Sequence, residues 1–195
     1  MKPEPAREDG SAMHTPHLES LPDIEAAIWR ELGLAVRQKK HAWRVAVMAT
    51  VDGGAADARS VVLRDLEAES RTLLIYTDSR SPKAMQLAAH PQGMLVLWSE
   101  ALHWQLRLRV TMTLETTGLR VSSRWARLKL TPAAHDYLSP LPPGSELGAA
   151  KPPRESREHF AVIAARVQST DWLDLHAEGH RRARFDAAGA VWLAP

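Results

Sequence analysis

The chain has no cysteine. Disulfides, thiolate nucleophiles and zinc–thiolate sites are therefore excluded. It has no apolar run near the ~18 residues that a membrane helix needs, and its polar, Pro-rich start contains no signal-peptide core. Neither charge sign dominates: 25 Lys and Arg face 23 Asp and Glu, a formal net charge of +2. A general affinity for nucleic acid or membranes has no basis in that balance. Also missing are a Gly-x-Ser-x-Gly elbow, a Walker loop and a Gly-x-Gly-x-x-Gly turn, which argues against a hydrolase, a P-loop enzyme and a Rossmann dehydrogenase. The nine histidines are scattered. None forms a His-x-x-x-His pair on an expected helix, so no metal site is expected. These absences fit a cytoplasmic protein.

What remains is an ordinary globular composition of 195 residues, 45% of them apolar. That length predicts one domain with a tail. Residues 1–19 lack periodicity and read as a mobile tail, leaving 20–195 as the domain. Ser20 suits a helix cap before Pro22 and Asp23, and Ile24, Ala27, Ile28, Leu32 and Ala35 recur at helical spacing. This helix is expected to end near Lys39 or Lys40.

From Trp43 the period shortens to two. Val45, Val47, Ala49 and Val51 alternate with Arg44, Ala46, Met48 and Thr50, the mark of a strand. Asp52-Gly53-Gly54 predicts a hairpin turn, with Arg59 to Leu66 returning. Further strands are expected over 73–77, 94–98 and 105–114, with a short helix after Ser81-Pro82 that stops before Pro91. Helices are expected over 119–130 and 132–138, then a Pro- and Gly-rich loop over 139–154. Four short strands follow, at 160–167, 171–175, 182–185 and 191–193. Many short strands with marginal helices predict a mainly β chain, a barrel with peripheral helices.

Polar residues cluster at the ends of these strands. Arg59-Ser60-Val61-Val62-Leu63-Arg64, Tyr76-Thr77, Ser81-Pro82-Lys83 and Gln105 occur in an order and spacing that resembles the pyridoxamine 5′-phosphate oxidase family of FMN-binding split barrels, in its divergent, oxidase-related branch. The resemblance spans roughly 24–195. It implies an FMN-binding split barrel, a homodimer with flavin mononucleotide at the subunit interface, and transfer of a hydride from a small-molecule substrate to the flavin. Arg59 and Lys83 resemble the family's phosphate-binding cations, and a dianionic phosphate calls for such charge-assisted partners. Ser60, Val61, Val62 and Leu63 would line the ring edge with backbone groups, and Tyr76, Thr77 and Ser81 would lie along the cofactor. Gln105 is similar to a glutamine that meets the ring. Arg64 stands where the family has a lysine near flavin and substrate. Trp172 and Arg184 approximate late residues that reach the cofactor, from the partner chain. Arg182 and His180 are the candidates for the substrate side.

Departures from the pattern are as informative. Pro82 replaces a phosphate-binding arginine, for which Arg80 is the possible substitute. Leu141, in a loop with Tyr137 and Ser145 that echoes the family's substrate loop, stands where the oxidase has an arginine. No Gln-Ser pair matches near 151–156. Oxidation of a B6 phosphate is thereby weakened more than FMN binding is. A non-catalytic flavin or haem carrier on the same barrel is the alternative. Side chain by side chain there are plain readings too. Lone cations are usually solvated strand ends, Arg107 and Arg109 suit the wet face of a strand, and Trp98, Trp104 and Trp172 suit packing. Asp171 and Asp174 read as residues of a surface strand.

Overall fold

The structure, a computed structural model, describes residues 18–146, 157–177 and 179–195. Most of the expected tail, and the stretch 151–156 that lacks a Gln-Ser match, lie outside the described residues. Helix α1 covers Leu21–Ala35, and the Ser20 hydroxyl accepts from the Asp23 amide as the sequence predicts. The helix stops about four residues earlier than expected. Arg44, from the next element, explains the stop: its guanidinium donates to the carbonyls of Ala35 and Val36, the latter at 2.6 Å. Orphan carbonyls at a helix end need such partners.

A 3-10 turn at Ala42–Arg44 leads into β1 (Val45–Asp52), and β2 (Ala55–Glu67) returns. The two-residue loop between them uses Gly53 and Gly54, both at positive φ. That geometry belongs to a type I′ hairpin, and glycine adopts it without steric cost. Then follow β3 (Thr72–Asp78), α2 (Pro82–Ala89), β4 (Gln92–Ser99), β5 (Trp104–Glu115) and α3 (Leu119–Leu128). A 3-10 segment at Pro132–Tyr137 stands where a short helix was expected. Last come β6 (Phe160–His176), β7 (Gly179–Asp186) and β8 (Gly189–Leu193).

The expected strands at 160–167 and 171–175 are one strand, β6. The polar residues between them mark a bulge, not a turn: Val110 pairs with Val167 and Arg109 with Ser169, leaving Gln168 unopposed. This kink lets β6 change partners within one continuous sheet. Its first half pairs with β3, its second half with β7, and β5 runs along both. Strand order β3-β2-β1-β4-β5-β6, with β3 joined to β6, closes a six-stranded barrel; β7 and β8 extend it as a flap. A mainly β split barrel is thus borne out.

Alternation sorts the side chains. Ala46, Met48, Val61, Leu63, Leu95, Leu97, Leu106 and Leu108 fill the interior, capped by Ile24, Ile28 and Leu32 of α1 and by Trp43. Each such buried side chain is worth about 1.5–3 kcal/mol of transfer free energy. A second cluster lies outside β3 and β6, where Val121, Trp125 and Leu128 of α3 cover Leu74, Phe160, Val162 and Ala164. The sequence misplaces two side chains. Trp98, expected to pack, is 46% exposed, whereas Asp174, expected on the surface, is buried and ion-paired with Arg181 at 2.6 Å. That arginine also crosses to the Leu18 carbonyl, tying the start of the described chain to β7. Trp104 does pack, edge-on to Trp172.

Candidate cofactor site

β2 and β3 do not pair along their whole length. Their ladder begins at Leu63 opposite Ile75. From Ala55 to Val62, β2 pairs with β1 alone, while Tyr76 to Asp78 pair with β6. Among the described residues, the barrel wall is therefore open between 55–62 and 76–78. One lip offers unpaired backbone groups of β2, the arrangement expected for Ser60 to Val62, whereas Leu63 already lies opposite Ile75. The other lip turns directly into α2.

Cations and hydroxyls gather in this opening. Arg59 lies on the same strand face as Val61 and Leu63, beyond the end of the apolar core. Its guanidinium donates to Thr50 Oγ1 and to Gln86 Oε1 (2.9 Å), and it forms an ion pair with Asp57. Lys83, in the first turn of α2, donates from Nζ to Thr77 Oγ1 at 3.3 Å. Thr77 in turn meets Ser81 Oγ at 3.2 Å. Ser81 precedes α2 as expected but makes no side-chain cap, so its hydroxyl faces Thr77 instead. Burial, and then the neighbouring Arg59, hold the Lys83 pKa below the ordinary lysine value. Among the described residues no carboxylate forms an ion pair with Lys83. A desolvated ammonium next to a second cation, at the N-terminus of a helix, suits an anion of more than one charge. The residues present thus fit a phosphate.

Beside the opening, Arg64 is the unopposed residue of a bulge between Leu63 and Asp65. Its guanidinium lies over the Tyr76 ring and donates to the Tyr137 hydroxyl at 3.2 Å. Among the described residues its buried Nε has no hydrogen-bond partner. Tyr76 and Tyr137 pack against Phe160, giving Arg64 an aromatic wall. Burial, then the nearby Asp65, raise the Tyr76 pKa, so this phenol stays neutral.

Arg80 does not stand in for the arginine lost at Pro82. It grips Asp78 through Nε (3.0 Å) and Nη2 (2.6 Å), and it donates to the carbonyls of Ser139 and Pro140 at 2.8 and 2.9 Å. It holds the loop after Tyr137 and has no fork left for a ligand. Ser145, from the same loop, is exposed.

The remaining candidates sit elsewhere. Gln105, Arg182 and Arg184 point outward from β5 and β7, in one field with Arg107, Arg109 and Asp171. Arg182 is held by Asp171 through Nε (3.0 Å) and Nη2 (2.7 Å), and Arg184 by Asp186 at 3.0 Å. His180 is exposed opposite Leu175. Register links this field to the opening through one outward row: Ser60 faces Val47, Val47 faces Val96, Val96 faces Arg107, Arg107 faces Asp171 and Asp171 faces Arg184. Five inter-strand steps make roughly 24 Å along the curved sheet. Trp172 joins neither group. It points inward, fully buried, under Arg181 and beside Trp104 and Trp192.

Sequence reasoning missed Thr50, Asp57 and Gln86, which surround Arg59. Asp57 was readable in principle, because residues i and i+2 of a strand share a face. Gln86 was readable only as a polar residue on a buried helix face. No group of three metal-ligating side chains occurs among the described residues, and no helix there is long and apolar enough to cross a membrane.

Comparison with known proteins bears on the fold and the family. Residues 26–116 match the family model described as pyridoxamine 5′-phosphate oxidase, FMN-binding domain. A pyridoxine/pyridoxamine 5′-phosphate oxidase of Caulobacter vibrioides is 29% identical over 161 residues, covering 74% of this chain and 71% of its own. One from Azorhizobium caulinodans is 41% identical over 63 residues, 32% of this chain and 29% of its own. Among solved structures, a pyridoxamine 5′-phosphate oxidase-related, FMN-binding protein of Nostoc punctiforme superposes with a TM-score of 0.70 at 22% identity, covering 91% of this chain and all of the other (100%). PhzG of Burkholderia lata, solved with tetrahydrophenazine-1-carboxylic acid, gives 0.67 at 13% identity over 92% and 95%. At such identities these two structures establish a shared fold.

Proposed function

From the premise that residues 26–116 belong to the pyridoxamine 5′-phosphate oxidase FMN-binding family, we propose that the chain is an FMN-dependent oxidoreductase acting on a small molecule, with each flavin held between two copies. The carrying observation is Lys83: a partly buried ammonium near Arg59, donating to Thr77 and in no ion pair among the described residues, at the open lip of the barrel. In this reading Arg59, Lys83, Ser81 and Thr77 hold the phosphate. Ser60 to Val62 supply backbone groups to the ring edge, and Tyr76 lies beside the cofactor.

The flavin, when bound, supplies the redox chemistry, so the protein needs no nucleophile of its own. Its side chains bind, orient and exclude water. Arg64 and Tyr137 form the substrate-side wall, with a charge-assisted hydrogen bond between them. Arg182 offers a substrate only the hydrogens left by its fork on Asp171.

The register supports a homodimer if Arg184 belongs to the site: it faces outward, five strand spacings along the sheet from Ser60, too far for one chain to bring it to the small molecule that Arg59 holds. A two-fold pairing of outer faces would do so. Val45, Val47 and Trp98, 49%, 45% and 46% exposed, give that face its apolar centre.

The test is the spectrum and cofactor content of the purified protein, and of the Arg59→Ala/Lys83→Ala double variant. The wild type is expected to be yellow with flavin absorption, and the double variant folded but colourless. A double variant that keeps FMN at full stoichiometry removes the assigned site. A colourless wild type that refuses millimolar FMN removes the proposal, and a Soret band turns the reading to haem. Anaerobic reduction by candidate donors separates an enzyme from a carrier.

A further inference from the structure

Two cations from different elements must keep a fixed separation if both are to grip one phosphate. Arg59 belongs to β2 and Lys83 to α2. A long arginine has many rotamers, and its bound geometry must be held by its surroundings. Between the two elements lies Gln86, which is 6% exposed. Its Oε1 accepts from Thr50 Oγ1 at 2.6 Å and from Arg59 Nη2 at 2.9 Å, and its Nε2 donates to Asp57 Oδ2 at 2.8 Å. The amide's orientation is set by these partners, with oxygen toward two donors and nitrogen toward a carboxylate. One side chain therefore joins β1, β2 and α2, on the helix that carries Lys83.

We infer that Gln86 is a positioning residue of the anion site: it locks the Arg59 fork in register with Lys83 and keeps Asp57 from taking that fork for itself. The inference rests on the FMN reading above. Asp57 is the natural competitor. It already pairs with Arg59 through Oδ2, the oxygen that also accepts from Gln86 Nε2, and its side chain is 43% exposed, so without Gln86 it could draw the arginine outward. Gln86 counters this from both ends, by drawing the guanidinium inward through Oε1 and by holding the carboxylate through Nε2. Hydrogen bonding from Gln86 is the largest cause that keeps the Asp57 carboxyl below its usual pKa; burial opposes it, and the charge of Arg59 adds to it.

A role confined to Arg59 differs measurably from a general packing role. Dissociation constants for FMN and for riboflavin, which lacks the phosphate, are measured on wild type, Gln86→Leu, Arg59→Ala and the Arg59→Ala/Gln86→Leu double variant. Gln86→Leu is expected to weaken FMN roughly tenfold or more and riboflavin less than about twofold, the scale of a lost hydrogen bond to a charged group. With Arg59 already removed, Gln86→Leu is expected to change FMN binding by less than about twofold, as coupled residues in one network do. Equal losses for both flavins overturn the inference, as does an undiminished effect in the Arg59→Ala background. So does a Gln86→Leu variant that binds FMN like the wild type. Gln86→Met, which keeps an unbranched chain of similar length, replaces Gln86→Leu if circular dichroism shows that variant unfolded. A wild type that binds neither flavin overturns both this inference and the FMN reading. A wild type that binds FMN with no Gln86 effect overturns this inference alone.

Discussion

Lys83 Nζ donates to Thr77 Oγ1 at 3.3 Å, and in the same barrel opening burial and the charge of Arg59 both favour its neutral form. Two pH effects follow. Lys83 starts below the ordinary lysine value of 10.5, so the proposed phosphate site loses this charge at a lower pH than it would with an exposed lysine. FMN affinity is expected to rise on the acid side as the phosphate takes its second charge near pH ~6. It is then expected to decline at a pH below 10.5, the lysine's ordinary pKa. Lys83→Arg, which stays charged, should remove that alkaline decline. Titration of binding by flavin fluorescence reads both limbs, and an unchanged alkaline limb in the arginine variant would show that another group titrates. Folding stability of the apo-protein has the opposite sign. The native state binds this proton less well than the unfolded chain, so stability rises as pH climbs from the lowered pKa toward the ordinary one. Lys83→Met should flatten that segment of the urea-stability profile.

Arg80 and Asp78 form a clasp that gathers three carbonyls of the loop after Tyr137. Burial opposes the charge on Asp78, but hydrogen bonds from Arg80 win and hold its carboxyl below the usual range. Arg80→Ala leaves this carboxylate, 8% exposed, without its partner. The expected cost is about 3 kcal/mol, the scale of breaking a buried pair, read as a lower urea midpoint. Proteolytic cleavage within 139–146 should also speed up, because the loop loses its anchor. The clasp's contribution is present above the ordinary Asp pKa and fades as pH falls through the lowered one. Unchanged stability and unchanged cleavage would mean that the loop is held by Tyr137 and Leu138 alone.

Much of this was legible in the sequence, for physical reasons. Strand alternation separates Ala46, Met48 and Thr50 from Val45 and Val47, and Gly53-Gly54 admits only a narrow set of turns. The cations at strand ends were visible because each ends an apolar run. What escaped depended on contacts between distant residues. The end of α1 is set by Arg44, nine positions beyond Ala35. The continuity of β6 depends on β5 pairing on both sides of Gln168. Arg80 looked free, because Asp78 and the 139–141 carbonyls meet it only in the fold. Trp172 resembled a cofactor residue by spacing, but a one-residue change of strand face decides between core and surface.

The outward face of β1 and β4 supports the last expectation. Val47 is central there: it lies opposite Ser60 on one side and Val96 on the other, with Val45 and Trp98 nearby in the same field. If two chains bury this face against each other, a carboxylate at Val47 must be desolvated without a partner. That is costly enough to dissociate a dimer at micromolar concentration. Val47→Glu is expected to halve the mass measured by light scattering. FMN occupancy should fall with it if, as proposed, Arg184 of the second chain completes each site. Leu130→Glu is the matched control: that side chain is 81% exposed and follows α3, away from this field, and its mass and flavin content should stay as in the wild type. A Val47→Glu protein that is monomeric yet fully loaded with FMN would show that one chain completes the site, and would confine the cofactor to the lip formed by β2, β3 and α2.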